Sequence, residues 1–260
     1  KPNWSNANVF TSARILEFLF DSLDGKKIVI EGYTAWRNQL NTGPESVDFI
    51  TPKNAKRQWK WIKEQDAWFL EYSGIMKVLR KHDVEYVNVT EEIWSKRSAD
   101  AEEIKKLVEG KFDSVADPEM YSFVPQKIYH LRKCTLISLN LSRRTREVLS
   151  LSTKNMFGLI PDPARYGKWH GENDTLLPQS IADINKIYRS LFKTCFWINE
   201  LKDHNLFVGS KNSIQADAIT AHIVGVDPMK IGYLKFASKI FGGYSKSLLA
   251  KIPSNLMQPV

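Results

Sequence analysis

The stretch TSARILEFLFDSLDGKKIVIEG, residues 11–32, holds both halves of the fold's building pattern. Thr11 or Ser12 offers a side-chain oxygen to the amides of a first helical turn. Ile15, Leu16, Leu19 and Leu23 then recur on one face at helical spacing. Gly25 stops the helix. Ile28-Val29-Ile30 follows as a short apolar run closed by Glu31 and Gly32, the mark of a buried strand. A helix feeding directly into such a strand predicts α/β layering.

Working outward, Gly43-Pro44 and Pro52 make residues 38–53 a loop. Helices are predicted over about 54–71, with Trp59, Ile62, Trp68 and Phe69 on one face, and over 72–82, with Ile75, Val78 and Leu79 inward. Val84 to Val89 alternates and reads as a strand. Residues 98–110 form a charged amphipathic helix ending at Gly110. Strands are expected at Lys127–His130, Cys134–Leu139, residues 146–153, Phe196–Ile198 and Leu206–Val208. Helices are expected over 180–192, 213–224 and 228–241. No internal repeat or linker interrupts the pattern. The expectation is a single α/β domain over residues 1–260. Its central sheet is mixed or mostly parallel, flanked by helices in Rossmann-like layering, with an inserted helical and loop segment at about 38–82.

Composition narrows the function classes. The chain has 260 residues, 43% hydrophobic and 12% aromatic, so extended disorder is excluded. No run of about 18 apolar residues exists to form a transmembrane helix, so no membrane partner is expected. Residues 1–130 carry 19 Lys+Arg against 20 Asp+Glu, and residues 131–260 carry 18 against 9. The net charge of +8 therefore belongs to the second half. Arg132, Lys133, Arg143, Arg144, Arg146, Lys154, Arg165 and Lys168 face only Glu147 and Asp162 over the segment they span. Such a field concentrates anions. It reads either as a solvated basic face or as a site for phosphate, carboxylate or, less favoured, nucleic acid, for which no binding signature is present.

Only Cys134 and Cys195 occur, with no Cys-x-x-Cys, so no iron–sulfur cluster or structural zinc is expected within the chain. One disulfide is allowed, but two apolar-flanked thiols in a reducing cytoplasm are the preferred reading. The abrupt opening at Lys1-Pro2-Asn3-Trp4 resembles a loop leaving a strand, and residues are expected to precede it. No Gly-x-Ser-x-Gly, Walker-type loop or Gly-x-Gly-x-x-Gly is present, which argues against serine hydrolases, P-loop NTPases and standard dinucleotide binding.

An ordered set of short motifs runs along almost the whole chain. Lys1-Pro2-Asn3-Trp4 precedes the Thr-Ser that opens the first helix. Ser73-Gly74-Ile75, then Glu85 through Glu92, then Leu136-Ile137-Ser138-Leu139 follow. The most specific piece is Ser152-Thr153-Lys154-Asn155-Met156-Phe157-Gly158-Leu159-Ile160-Pro161. After it come His170, Ser180 to Asn185, Gly209-Ser210, Ala216-Asp217-Ala218, Val224 to Pro228 and Ile231 to Leu234. In this order and spacing the chain resembles the prokaryotic family known as domain of unknown function 362. That family's general activity is not established, and many members carry a ferredoxin-type iron–sulfur module. Members usually follow the Leu-Ile-Ser strand with a proline and a lysine–threonine–histidine triplet. Here Leu141-Ser142-Arg143-Arg144-Thr145 stands instead. The Asn199–Asn205 loop lacks the family's glycine-proline-rich insert, and Lys211 to Ile214 replaces an Asp-Pro. Metal or redox roles tied to those positions do not carry over.

The candidate site gathers around these motifs. Lys154 supplies a point charge, Asn155 both donor and acceptor, and Gly158 close backbone approach; an ordinary exposed loop is the alternative. Lys1 and Asn3 form a second Lys/Asn pair at a strand end, where ligands sit in open α/β sheets. Glu31, at the end of its strand, would join them, or else serve as a helix-capping or ion-pairing carboxylate. Trp36-Arg37-Asn38 either lids the site or is plain loop. Arg143, Arg144 and Arg165 complete the basic lining. His170, with an ordinary pKa of about 6.5, is the acid–base candidate, against a structural role. Asp217 would orient a cation or lysine, or act as a helix-terminal carboxylate.

These residues suggest a protein that binds or acts on a small anionic metabolite in a basic cleft, with Lys154, His170 and Glu31 as the chemical groups. The alternative is a binding or partner protein that has lost its family's active groups. The cofactor, the substrate and the oligomeric state are not legible in the chain.

Overall fold

The computed structural model describes residues 11–32, 59–145, 148–161 and 168–257. They divide into two compact units, one built from 11–32, 59–97 and 158–161, the other from the described residues of 98–157 together with 168–257. The class is mixed α/β, as the opening helix–strand pattern predicts.

In the first unit, α1 (Ala13–Ser22) starts where Ser12 Oγ accepts the Ile15 amide at 3.3 Å. The chain turns at Gly25, whose φ of 82° suits glycine, and enters β1 (Ile28–Glu31). β1 pairs in parallel with β2 (Glu85–Asn88), Ile28 opposite Glu85 and Glu31 opposite Asn88. Between them run α2 (Trp59–Tyr72) and α3 (Ile75–Lys81). Phe20, Phe69, Leu70, Ile75, Val78, Leu79 and Val84 bury their apolar faces together. The strand expected to run to Val89 ends at Asn88. That side chain turns back to accept the Glu91 amide at 3.1 Å and caps α4 (Val89–Trp94). A capping asparagine competes with strand continuation because it satisfies a first-turn amide.

In the second unit, Asp100 accepts the Glu102 and Glu103 amides and opens α5 (Ala101–Glu109). The strand expected at Lys127–His130 is instead α6 (Gln126–Tyr129). Pro125 precedes it and has no amide to lose, and its carbonyl accepts from Tyr129 at 3.0 Å, so the segment winds. β3 (Thr135–Leu141) leads into a hairpin of β4 (Arg143–Thr145) and β5 (Val148–Ser150). The strand expected over 146–153 therefore stops at Ser150, and α7 (Ser152–Asn155) replaces its end. α8 (Leu177–Leu191) runs to β6 (Thr194–Leu201), and β7 (Leu206–Ser210) precedes α9 (Ser213–Ile223). α10 (Gly232–Phe241) and α11 (Lys246–Leu249) follow.

The sheet of this unit has the order β3–β6–β7, with β3 and β6 parallel and β7 antiparallel. Ser138 lies opposite Trp197 and Asn140 opposite Asn199, so these four share one face. α8 is buried on nearly every side, including Asp183, Asn185 and Lys186. Lys186 Nζ meets Asp183 at 3.0 Å and the Ser114 carbonyl at 3.1 Å, while Asp183 accepts the Ala116 amide at 2.9 Å. The pair thus ties the loop after α5 to α8, which is how a buried charge is tolerated. Among the described residues no helix is long and apolar enough to cross a membrane.

Candidate functional site

The carboxyl ends of the parallel pair β3–β6 carry an unusual density of buried polar side chains. Asn140, Asn199, Ser152, Thr153 and Asp217 are all buried. Asp217, in the interior of α9, accepts the Ser152 amide at 3.0 Å, the Ser152 hydroxyl at 2.6 Å and Asn199 Nδ2 at 2.8 Å on one oxygen. Its other oxygen accepts the Thr153 amide at 3.0 Å. Burial pushes this carboxyl up from its ordinary range, and the hydrogen bonds from Ser152, Thr153 and Asn199 pull it back.

The reason for this arrangement lies in α7. Its N-cap position is Leu151, which has no polar side chain to satisfy the first amides. Asp217 supplies that cap from 64 and 65 residues away in sequence. From Asp217 the network continues outward. Asn199 Oδ1 accepts from Asn140 at 3.0 Å and from Ser142 at 3.3 Å. Asn140 also donates to the Ser150 carbonyl at 3.2 Å. Ser150 Oγ in turn accepts from Lys154 Nζ at 3.4 Å. Lys154 therefore meets the hydroxyl of Ser150, whose backbone carbonyl is held by the interior network.

Lys154 is half-buried and forms no ion pair among the described residues. Burial, and next the Arg143 guanidinium, lower its ammonium to about 8, against a smaller opposing pull from Asp174. Asp174 accepts from or donates to His170 Nδ1 at 2.5 Å, as the protonation state requires. His170 is buried against the edge of the Phe157 ring, centroids 5.0 Å apart. The backbone is bent to permit this. Gly171, Asn173 and Asp174 have φ of 69°, 52° and 61°. A Cβ on Gly171 would come within 2.7 Å of Leu176 Cγ. Only the left-handed turn brings the Asp174 carboxylate back onto the ring four residues before it.

Asn155 donates to Ser138 Oγ at 3.1 Å and to the Leu139 carbonyl at 3.0 Å, fixing the end of α7 to β3. Another half-buried cation, Arg189, is pressed to about 10 by burial and lies 4.1 Å from the ring centroids of both Trp197 and Phe241. Its guanidinium also donates to Ser213 Oγ. It packs helices against the sheet.

The structure thus brings Lys154, Arg143 and, through Asp174, His170 into one electrostatic neighbourhood, with Asn155 on the same short helix and Asp217 beneath it. Among the described residues Asp217 holds no lysine; its oxygens accept from two backbone amides, the Ser152 hydroxyl and the Asn199 amide. Glu31 belongs to the other unit, where Tyr86 donates to it at 3.3 Å beside Asp66. Gly158 also belongs to that unit. Lys1, Asn3, Arg37 and Arg165 lie outside the described residues, as does the side chain of Arg144. Sequence reading missed Asp174, Ser150, Asn140 and Asn199. Asn199 had a signal, a polar residue at a strand position flanked two residues away by the apolar Trp197 and Leu201. Among the described residues no three His, Cys, Asp or Glu gather to hold a metal, and Cys134 and Cys195 are free thiols.

Comparison of the chain with protein-family models, curated proteins and solved structures found no match.

Proposed function

We propose that this protein binds and acts on a small anionic metabolite, bearing a phosphate or carboxylate, at the carboxyl ends of β3 and β6. One observation carries this reading. Among the described residues Lys154 is half-buried and makes no ion pair, and the Arg143 guanidinium opposes its charge more than Asp174 favours it, so an arriving anion would relieve both the desolvation and the repulsion. The basic excess of residues 131–260 would draw such a ligand in. His170, with Asp174 on its Nδ1, is the acid–base pair of the site. The motif order described above supports placing the chain as a divergent member of the family of domain of unknown function 362. On that reading the β3–β6 pair is part of a Rossmann-like layer.

The replacement of the family's lysine–threonine–histidine triplet by Arg143-Arg144-Thr145 favours a second reading, a binding protein without turnover. A thermal-shift series with inorganic phosphate, phosphorylated sugars and short carboxylates at low ionic strength separates these outcomes. Stabilisation that is lost in both Lys154→Ala and Arg143→Ala supports the anion site. No stabilisation by any anion refutes it. Turnover abolished by His170→Ala supports the enzyme, and binding without turnover the second reading.

A further inference from the structure

We propose that β7 is a homodimer edge, pairing antiparallel with β7 of a second copy so that two three-stranded sheets become one. β7 closes the β3–β6–β7 sheet and is paired only with β6. Among the described residues no group outside β6 hydrogen-bonds its backbone. Alternate residues of such a strand aim amide and carbonyl away from the sheet, and proteins usually blunt the edge with a lysine, a proline or a bulge. Leu206-Phe207-Val208-Gly209-Ser210 holds no charged residue and no proline. Its register with β6 runs without a bulge from Leu201–Leu206 to Trp197–Ser210. Phe207 stands out from it, 46% exposed. The opposite edge is treated differently, since the Leu139 carbonyl of β3 is taken by Asn155.

The occupant is a second copy because the strand is complementary to itself. With a two-fold axis at Val208, each Phe207 falls opposite Gly209 of the other copy. Gly209 already lies under its own Phe196 ring, where a Cβ would come within 2.9 Å of Phe196 Cε1. The incoming Phe207 therefore meets a residue with no side chain and lies beside another ring, a favourable cross-strand contact. On the other face Val208 meets Val208, extending across the axis the core it shares with Trp197, Ala216 and Ile223. The ends match in charge as well. Antiparallel pairing brings the exposed Lys211, just past β7, to the β6–β7 turn of the other copy, where Asp203 is exposed, and the axis makes this contact twice. Lys202 of the same turn is within charge range of the buried Glu200 of its own chain.

The test uses the full chain. A contact of one strand pair falls below the standard interface class, so association should depend on concentration. Sedimentation velocity from about 1 to about 100 μM should show the 29.9 kDa chain giving way to a species of twice that mass. A mass unchanged at one copy across that range overturns the proposal and leaves the edge to a strand of another chain. Species larger than two copies also overturn it, because a two-fold contact uses each β7 once and closes. Hydrogen exchange locates the contact without any substitution. The β7 amides that point away from β6 should exchange about threefold or more slowly at the higher concentration, with those of β3 unchanged. A dimer without that protection uses another surface and overturns the proposal. Phe207→Lys, at an exposed position, sets like charges beside the axis and next to Lys211 of the other copy. It should stay at one copy over the same range and keep the melting temperature of the dilute wild type. Dimerisation undiminished in Phe207→Lys overturns the proposal.

Discussion

Asp217→Asn tests the interior support of the site. The substitution keeps the volume of a fully buried side chain, so no cavity term enters. The amide oxygen can keep the donors that now meet Oδ1, namely the Ser152 amide, the Ser152 hydroxyl and Asn199. The new NH2 group must then face the Thr153 amide, which now donates to Oδ2. One charge-assisted bond is lost, and two buried donors confront each other. With about 1.5–3 kcal/mol for the first and 1–3 kcal/mol for a stranded group, the expected loss is about 3–5 kcal/mol. At an m-value near 3 kcal/mol/M in urea, the midpoint of the second unit falls by about 1–2 M. Hydrogen exchange adds a local readout, since the Ser152 and Thr153 amides should lose their protection more than amides of β7. A loss below about 1 kcal/mol, or unchanged protection at those two amides, would refute the claim that Asp217 caps α7.

Other perturbations probe separate links. Because the folded Lys154 ammonium is lowered to about 8 from an ordinary 10.5, the folded state releases its proton first. Stability should therefore rise as pH climbs through that interval, by at most about 3 kcal/mol, and Lys154→Met should abolish the rise in denaturation curves at pH 7 and 10. Ligand-induced stabilisation should fade above the same lowered value, where the cation is lost. Lys186→Met leaves Asp183 buried without its cation and should cost about 3–5 kcal/mol; the double variant Lys186→Met/Asp183→Leu should recover part of that in a double-mutant cycle. Asn88→Ala removes both the α4 cap and a donor to Asp66, and should cost about 1–2 kcal/mol, measured by denaturation of the first unit.

The elements whose signals are local were legible from residues alone. Ser12 caps α1, and the apolar stripes of α3 and α8 fall where helical spacing places them. Lys154, Arg143 and His170 were legible as site candidates because charge and residue type are themselves sequence properties. The errors came where a short segment's neighbours compete with its propensity. Lys127–His130 has strand-like composition but follows a proline that starts a helical turn, and residues 151–153 leave the strand because a distant carboxylate captures two amides.

That last case marks the division. Composition and periodicity determine which segments bury an apolar face, since hydrophobic burial depends on spacing within a few residues. They also determine that the second half is basic. What Asp217 does is decided only by tertiary structure, because its donors sit 64 and 65 residues earlier. The lowered Lys154 ammonium is likewise a tertiary property. It depends on burial and on Arg143 lying nearby in space, and a desolvation penalty cannot be read from a residue's identity.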